Sequence, residues 1–282
     1  MSSNPNIQKF REELRTFAKA NRVGLLGILN TTPDSFFDGG KNLPHKSAVS
    51  HGLKMIDAGA DIVDIGGASS RPGAPAVTPT EEWKRVEPVI KGILDARPDV
   101  FISIDTYNAS VARKAVENGA VMVNDISAGS LDPDFIPTVA DLNVPYVLMH
   151  MKGAPDNMQD NPNYENVVDE VSAFFKLKIS QLESMGISDI ILDPGFGFGK
   201  RLEDNYSLLK NLREFTNQGK PLLAGISRKS MINKALDCNP EDALNGTSAL
   251  NAIALQNGAT FLRVHDIAEA HEVRTLHNHL CK

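Results

Sequence analysis

At 282 residues, with 41% hydrophobic and 23% charged side chains, the chain has the size and balance of one globular enzyme domain, which excludes a disordered or fibrous polypeptide. A net charge of −6 speaks against a nucleic-acid or anionic-membrane partner, since such partners demand a basic face. The two cysteines, Cys238 and Cys281, make neither a disulfide framework nor a zinc spacing and fit a reducing cytoplasm, and no run reaches the roughly 18 apolar residues of a membrane span.

In chain order, IQKFREELRTFAKA comes first and sets Ile7, Phe10, Leu14 and Phe17 on one helical face. Its Glu12 and Glu13 and the lack of an apolar h-region argue against a signal or transit peptide. The expectation is an N-terminal helical extension over 1–22, packed on the bottom or side of the main domain. Then come eight short apolar runs, each closing on a polar side chain: GLLGILN, DIVDIGG, VFISID, AVMVND, PYVLMH, DIILD, PLLAGIS and TFLRVH. Runs this short and this uniformly apolar read as parallel strands buried on both faces.

Helical stretches separate them: about Ser47 to Ala58, a segment capped at Thr78 or Thr80, Ser110 to Glu117, Pro133 to Ala140, and Val167 to Ser184, before a closing helix. The loop APDNMQDNPNY is the longest and reads as functional or mobile. The repeated β-loop-α unit predicts an α/β fold, a (β/α)8 TIM barrel over 23–282 as a single domain.

Chemistry in such a barrel gathers where the strands end, so Asn30, Asp64, Asp105, Asn124, His150, Asp193, Ser227, Arg263 and His265 form one candidate constellation. Arg263 and His265 flank Val264, project to one face of an extended strand, and offer a cationic grip for phosphate. Arg71, with Ser70, lies in the loop after the second run and could approach the same anion. Asp105, Asp193 and Asn124 supply acceptors that match the N–H edge of a pterin or guanine-like ring, or else cap loops or pair with cations. The absence of HxH or HExxH weakens a tight zinc site. DPGFGFGK frees its backbone at three glycines and offers Phe196 or Phe198 as a ligand wall, without the GxGxxG spacing of a dinucleotide loop. Lys229 and Ser230 in SRKS stand near the seventh strand end, and NTTPDSFFDGG reads as a loop able to close over the site.

GILNTTPDSFFDGG, DIVDIGGASSRPGA, ISIDT, NDIS, LMHMKG, ILDPGFGFGK, GISRKSM and RVHD occur in this order, and the set closely resembles the dihydropteroate synthase family from about Gly24 to the final helix. The resemblance implies a folate-pathway transferase that joins a dihydropterin methyl diphosphate to 4-aminobenzoate and releases pyrophosphate. It further implies that Asp105, Asn124, Asp193 and Lys229 hold the pterin, with Met149 lining its slot. Arg263 and His265 would take the diphosphate, and Asn30 would help hold Mg²⁺. Ser70, Arg71, Pro72, Phe198 and Ser230 would shape the aminobenzoate and diphosphate side, and the loops bearing Asp34 and Arg71 would close for turnover. A homodimer and sensitivity to sulfonamide analogues belong to the same implication.

Two positions depart from the family pattern. GGASSRPG stands where GGESTRPG is common, so Ala68 lacks a carboxylate and Ser70 a methyl, and Phe37 occupies a place where a small residue is usual. Rival readings are a methyltetrahydrofolate methyltransferase-type barrel, which has no need of the SRKS lysine or the RxH pair, and a catalytically silent pterin or phosphate binder.

Overall fold

A computed structural model describes residues 5–19, 22–32, 43–69, 77–154, 158 and 162–281. Its strands are β1 (Gly24–Asn30), β2 (Ile62–Gly66), β3 (Phe101–Asp105), β4 (Met122–Asp125), β5 (Tyr146–Met149), β6 (Ile190–Asp193), β7 (Leu223–Ala224) and β8 (Phe261–Val264). All pair in parallel in the order β6-β5-β4-β3-β2-β1-β8-β7. A bridge between Leu192 and Leu222, with the Leu192 N–H donating to Pro221 O at 2.9 Å, joins the two ends and closes the barrel.

The eight expected runs therefore all become strands, but β7 shrinks to two residues. Pro221 has no N–H to give, and the N–H groups of Thr260 and Phe261 both converge on Leu222 O, so a regular ladder cannot start there. Asp64 lies within β2 rather than at its end, because the strand runs on to Gly66.

The helices outside the barrel are α2 (Leu43–Asp57), α3 (Pro79–Ala96), α4 (Ala109–Glu117), α5 (Phe135–Leu142), α6 (Val167–Ser184), α7 (Leu202–Lys210), α8 (Ser230–Leu236), α9 (Leu244–Gln256) and α10 (Ile267–Leu280), preceded by α1 (Pro5–Lys19). Thr78 caps α3 by accepting from the Glu81 N–H, and Asn166 caps α6 through the N–H groups of Val168 and Asp169. Among the described residues no helix is long and apolar enough to cross a membrane.

α1 lies across the amino-terminal ends of the strands, the bottom of the barrel. Phe10 packs on Phe101, the first residue of β3, and Phe17 on Phe261, the first of β8, each with ring centroids 5.0 Å apart. Arg11 fastens the same end, donating to Asn143 O at 2.8 Å and pairing with Asp189 at 2.8 Å. Ile7, Phe10, Leu14 and Phe17 belong to the core that runs through the barrel.

Candidate active site

Register decides which strand-end side chains meet. Residues paired across a parallel sheet share a face, so the row Asn30, Gly66, Asp105 and Asn124 points one way, and Met149 pairs with Asp193 on the same face. Arg263, level with Leu26 and Ile62, lies below the level of Asn30 and Gly66 on that face. Gly225 leaves the centre open: a Cβ there would sit 3.7 Å from Lys229 Nζ, 3.8 Å from Asp193 Oδ2 and 3.9 Å from Arg263 Cβ. The mouth is thus a cleft walled by acids, an amide and two cations.

Arg263 differs from the expected phosphate fork. Its Nε donates to Asp64 Oδ2 at 2.6 Å and one Nη to Asp105 Oδ2 at 2.6 Å, while Asn124 donates to the same Asp64 oxygen at 2.9 Å. Asp64 is completely buried, and a buried charge must be paired, so the nearest guanidinium turns inward onto it. Burial opposes the Arg263 charge, yet Asp64 and Asp105 raise its pKa further above the ordinary range. Asp105 is itself pushed up, by burial first, with Arg263 opposing and Asp64 adding to the rise.

Asp193 is buried and accepts the Gly195 N–H at 2.8 Å; burial raises its pKa against the pull of Lys229. Lys229 donates to Phe196 O at 2.5 Å and lies over the Phe198 ring, 4.6 Å from its centroid. Burial pushes its pKa down to about 8 although Asp193 opposes the shift. Of the two aromatics in the glycine loop, Phe196 is wholly buried and only Phe198 reaches the cleft side. Ser230 opens α8 and is exposed.

His265 is held by Ser227 at the end of β8. Ser227 Oγ accepts the His265 main-chain N–H at 3.2 Å and lies 3.0 Å from its Nδ1. The hydroxyl either donates to Nδ1 or accepts from it with its second lone pair, so Ser227 orients the ring in both tautomers. Desolvation and then Arg263 lower the pKa of this ring, which favours the neutral imidazole.

Other members of the constellation are drawn elsewhere. His150 leaves the cleft face, packs edge-on against Phe174 at 4.9 Å and meets Lys200, because it follows Met149 by one residue and a one-residue step reverses the face. Asp125, next to Asn124, likewise turns outward, where it accepts from the Tyr146 hydroxyl at 2.8 Å and from Ser127 and Gly129. Asp34, Phe37, Ser70, Arg71 and Pro72 lie outside the described residues. At the start of the second loop, Arg85 donates to Gly67 O at 3.0 Å, and Gly67 rests directly on Glu82, so α3 anchors the segment bearing Ala68.

Sequence reasoning counts Asp64 and Ser227 among the strand-end residues without giving either a role, and it passes over Gly225 and Lys200. Strand parity could have singled out Asp64, two residues before Gly66. Nothing local marks Lys200, whose contacts to His150 come from another loop.

For a metal, no group of three or more His, Cys, Asp or Glu side chains converges among the described residues. Asn30 offers an amide oxygen on the Asp105 row: a Cβ at Gly66, between them, would lie 3.6 Å from both Asn30 Oδ1 and Asp105 Oδ2. One or two protein oxygens completed by phosphate and water is what Mg²⁺ ordinarily takes, so the donors fit a metal that arrives with a diphosphate.

The family profile described as pterin binding enzyme matches residues 26–265. The dihydropteroate synthase of Escherichia coli (strain K12) is 44% identical over 266 residues, covering 92% of this chain and 94% of that protein. That of Haemophilus influenzae is 46% identical over 246 residues, covering 86% and 89%. Among solved structures, Xanthomonas albilineans dihydropteroate synthase with 4-aminobenzoic acid superposes with a TM-score of 0.87 at 43% identity, covering 92% of this chain and 93% of that one. The same enzyme in complex with 7,8-dihydropteroate gives 0.83 at 40% identity, covering 92% and 94%. With likeness this extensive in sequence and in fold, the chain belongs to the dihydropteroate synthase family of pterin-binding enzymes.

Proposed function

We propose that the chain joins (7,8-dihydropterin-6-yl)methyl diphosphate to 4-aminobenzoate, giving 7,8-dihydropteroate and pyrophosphate. The observation that carries this reading is the set of partly buried Asp105 and buried Asn124 and Asp193 with Lys229 at a single barrel mouth. An aminopyrimidinone edge carries parallel N–H donors that a buried carboxylate accepts, and Lys229 supplies a donor to ring acceptors. Met149 forms a wall of that slot. The solved relatives that hold 4-aminobenzoic acid and 7,8-dihydropteroate support both halves of the substrate pair.

In the reaction the methylene C–O bond breaks and its electron pair leaves on the diphosphate. The arylamine lone pair forms the C–N bond, and the surplus amine proton goes to solvent. An arylamine is already neutral at pH 7, so departure of the leaving group is the step the site must assist. His265 presents a neutral N–H to the developing charge, and Arg263 contributes the N–H groups not engaged by Asp64 and Asp105. Asn30 is the residue to hold Mg²⁺, which when bound neutralises charge on the phosphate oxygens. Phe198 and Ser230 border the amine side.

The chain also works as a homodimer in this reading. Leu236 on α8, Ile253 on α9, and Leu276 and Leu280 on α10 are exposed apolar side chains on three successive helices, and α9 packs against α10. Light scattering on a sizing column gives twice the chain mass if this holds. The unpaired Cys238 and Cys281 are consistent with a reducing cytoplasm.

The test is pyrophosphate release from dihydropterin diphosphate and Mg²⁺ with and without 4-aminobenzoate, beside Arg263→Ala. Release that requires the amine and collapses in the variant supports the synthase. Tight pterin binding without release refutes it.

A further inference from the structure

Lys200 is a buried cation that the proposed chemistry does not use. It is 4% exposed, yet its Nζ lies 2.9 Å from Gly195 O, 3.0 Å from Phe198 O, and 3.1 Å from both His150 O and His150 Nδ1. None of these partners is a carboxylate. The ammonium therefore sits in a nest of neutral acceptors drawn from two loops, the one after β5 and the one after β6.

The backbones of those loops touch. Gly195 and Gly199 have φ of +69° and +61°, and a Cβ on them would strike His150 O at 2.0 Å and Lys152 O at 2.2 Å. The Tyr164 hydroxyl donates to Gly199 O at 2.8 Å, and Asn205 accepts the Gly197 N–H at 2.6 Å. Three site contacts depend on this assembly: the Gly195 N–H on Asp193, the Phe196 carbonyl on Lys229, and the Phe198 ring beneath that lysine.

We infer that Lys200 is a positioning residue: by gathering the carbonyls of His150, Gly195 and Phe198 around one ammonium, it sets the Phe198 ring at the amine side of the cleft. The inference rests on the synthase reading of this mouth. Removing the ammonium takes the lysine donor from His150 O, His150 Nδ1 and Phe198 O, while Gly195 O keeps the Phe198 N–H, and the loop must reorganise to satisfy them. Burial lowers the Lys200 pKa to about 7 while Asp193 opposes the shift, as expected for a cation held mainly by dipoles. Of the pterin-side residues, Asp105, Asn124, Met149 and Asp193 stand on strands and Lys229 follows β7, whereas Phe198 rides on this loop itself, so pterin binding depends on it less than amine binding does.

The experiment uses the full chain as Lys200→Met and Lys200→Arg, with Arg11→Ala as a variant loosened at the opposite end of the barrel. A guanidinium keeps the charge but is planar and cannot converge on the same four acceptors. In both Lys200 variants the KM for 4-aminobenzoate should rise by about tenfold or more, as misplacement of a positioning group allows, with pterin diphosphate affinity within about threefold of the parent. Arg11→Ala should melt earlier with parental KM values. In Lys200→Cys, with Cys238 and Cys281 replaced by serine, aminoethylation of the unfolded chain and refolding should restore the amine KM. Lower melting with an unchanged amine KM would reduce Lys200 to a stabilising residue, and so would equal weakening of both substrates. If Lys200→Met does not fold, a parental amine KM in Lys200→Arg overturns the inference. A parent that releases no pyrophosphate marks failure of the synthase reading instead.

Discussion

Replacing Asp64 by asparagine tests the electrostatic frame of the cleft, because shape is kept while the completely buried carboxylate is lost. Breaking a buried pair by removing one partner ordinarily costs about 3–5 kcal/mol. Here Arg263 keeps Asp105 at 2.6 Å, so its guanidinium is not orphaned and the low end applies. About 3 kcal/mol corresponds to a fall in Tm of roughly 6–12 °C for a domain approaching this size. Urea unfolding followed by circular dichroism measures the loss directly, with the m-value checking that the transition has not changed character. In the same variant the amide oxygen can still accept from Asn124, so pterin diphosphate should bind more weakly only through the countercharge lost beside Arg263. An Asp64→Asn protein that melts within about a degree of the parent would refute the reasoning and leave Asp105 as the sole counterion of Arg263.

Phe10→Ala should lower stability by about 3–5 kcal/mol while kcat and both KM values stay parental, because α1 closes the end of the barrel opposite the cleft; thermal melts and steady-state kinetics read the two effects separately. The Lys229 ammonium, with its pKa pushed down to about 8, is present below that pH and lost above it, so kcat/KM should fall as pH rises through about 8. In Lys229→Arg the alkaline limb should vanish, whereas a parent profile flat to about pH 9.5 would contradict the assignment. Gly225→Ala should fold normally, since its Cβ meets neighbours no closer than 3.7 Å, but should raise the KM for pterin diphosphate by filling the space between Lys229, Asp193 and Arg263; unchanged pterin affinity in titrations would remove that space from the binding cleft.

The barrel was legible because each strand is apolar on both faces and each crossover repeats the same unit, so GLLGILN reads as β1 residue for residue and VVDEVSAFFKLKISQLES as α6. The ends of strands were legible only to about one residue, and one residue is the difference between the cleft and the helix layer. Asn124 and Asp125 are indistinguishable by composition, yet one meets Asp64 and the other Tyr146. The charge state of the anion grip was also hidden. Sequence places Arg263 and His265 side by side, but the carboxylates that claim Arg263 and the hydroxyl that meets His265 Nδ1 come from residues far away along the chain. Lys200 has the sequence context of an ordinary solvated lysine after a glycine run, and only the approach of the loop after β5 buries it.

Closure of the barrel between β6 and β7 through a short bridge gives the cylinder a seam. Elsewhere neighbouring strands are laced by longer ladders; here few backbone bonds must break for the wall to part. Asp193 stands on one lip of that seam, while Gly225 and Lys229 follow from the other. Breathing at this joint therefore widens the gap between the buried acid and the lysine at little energetic cost, giving an otherwise stiff barrel one compliant side, which amide exchange at Leu192 would register before the amides of β1 and β2.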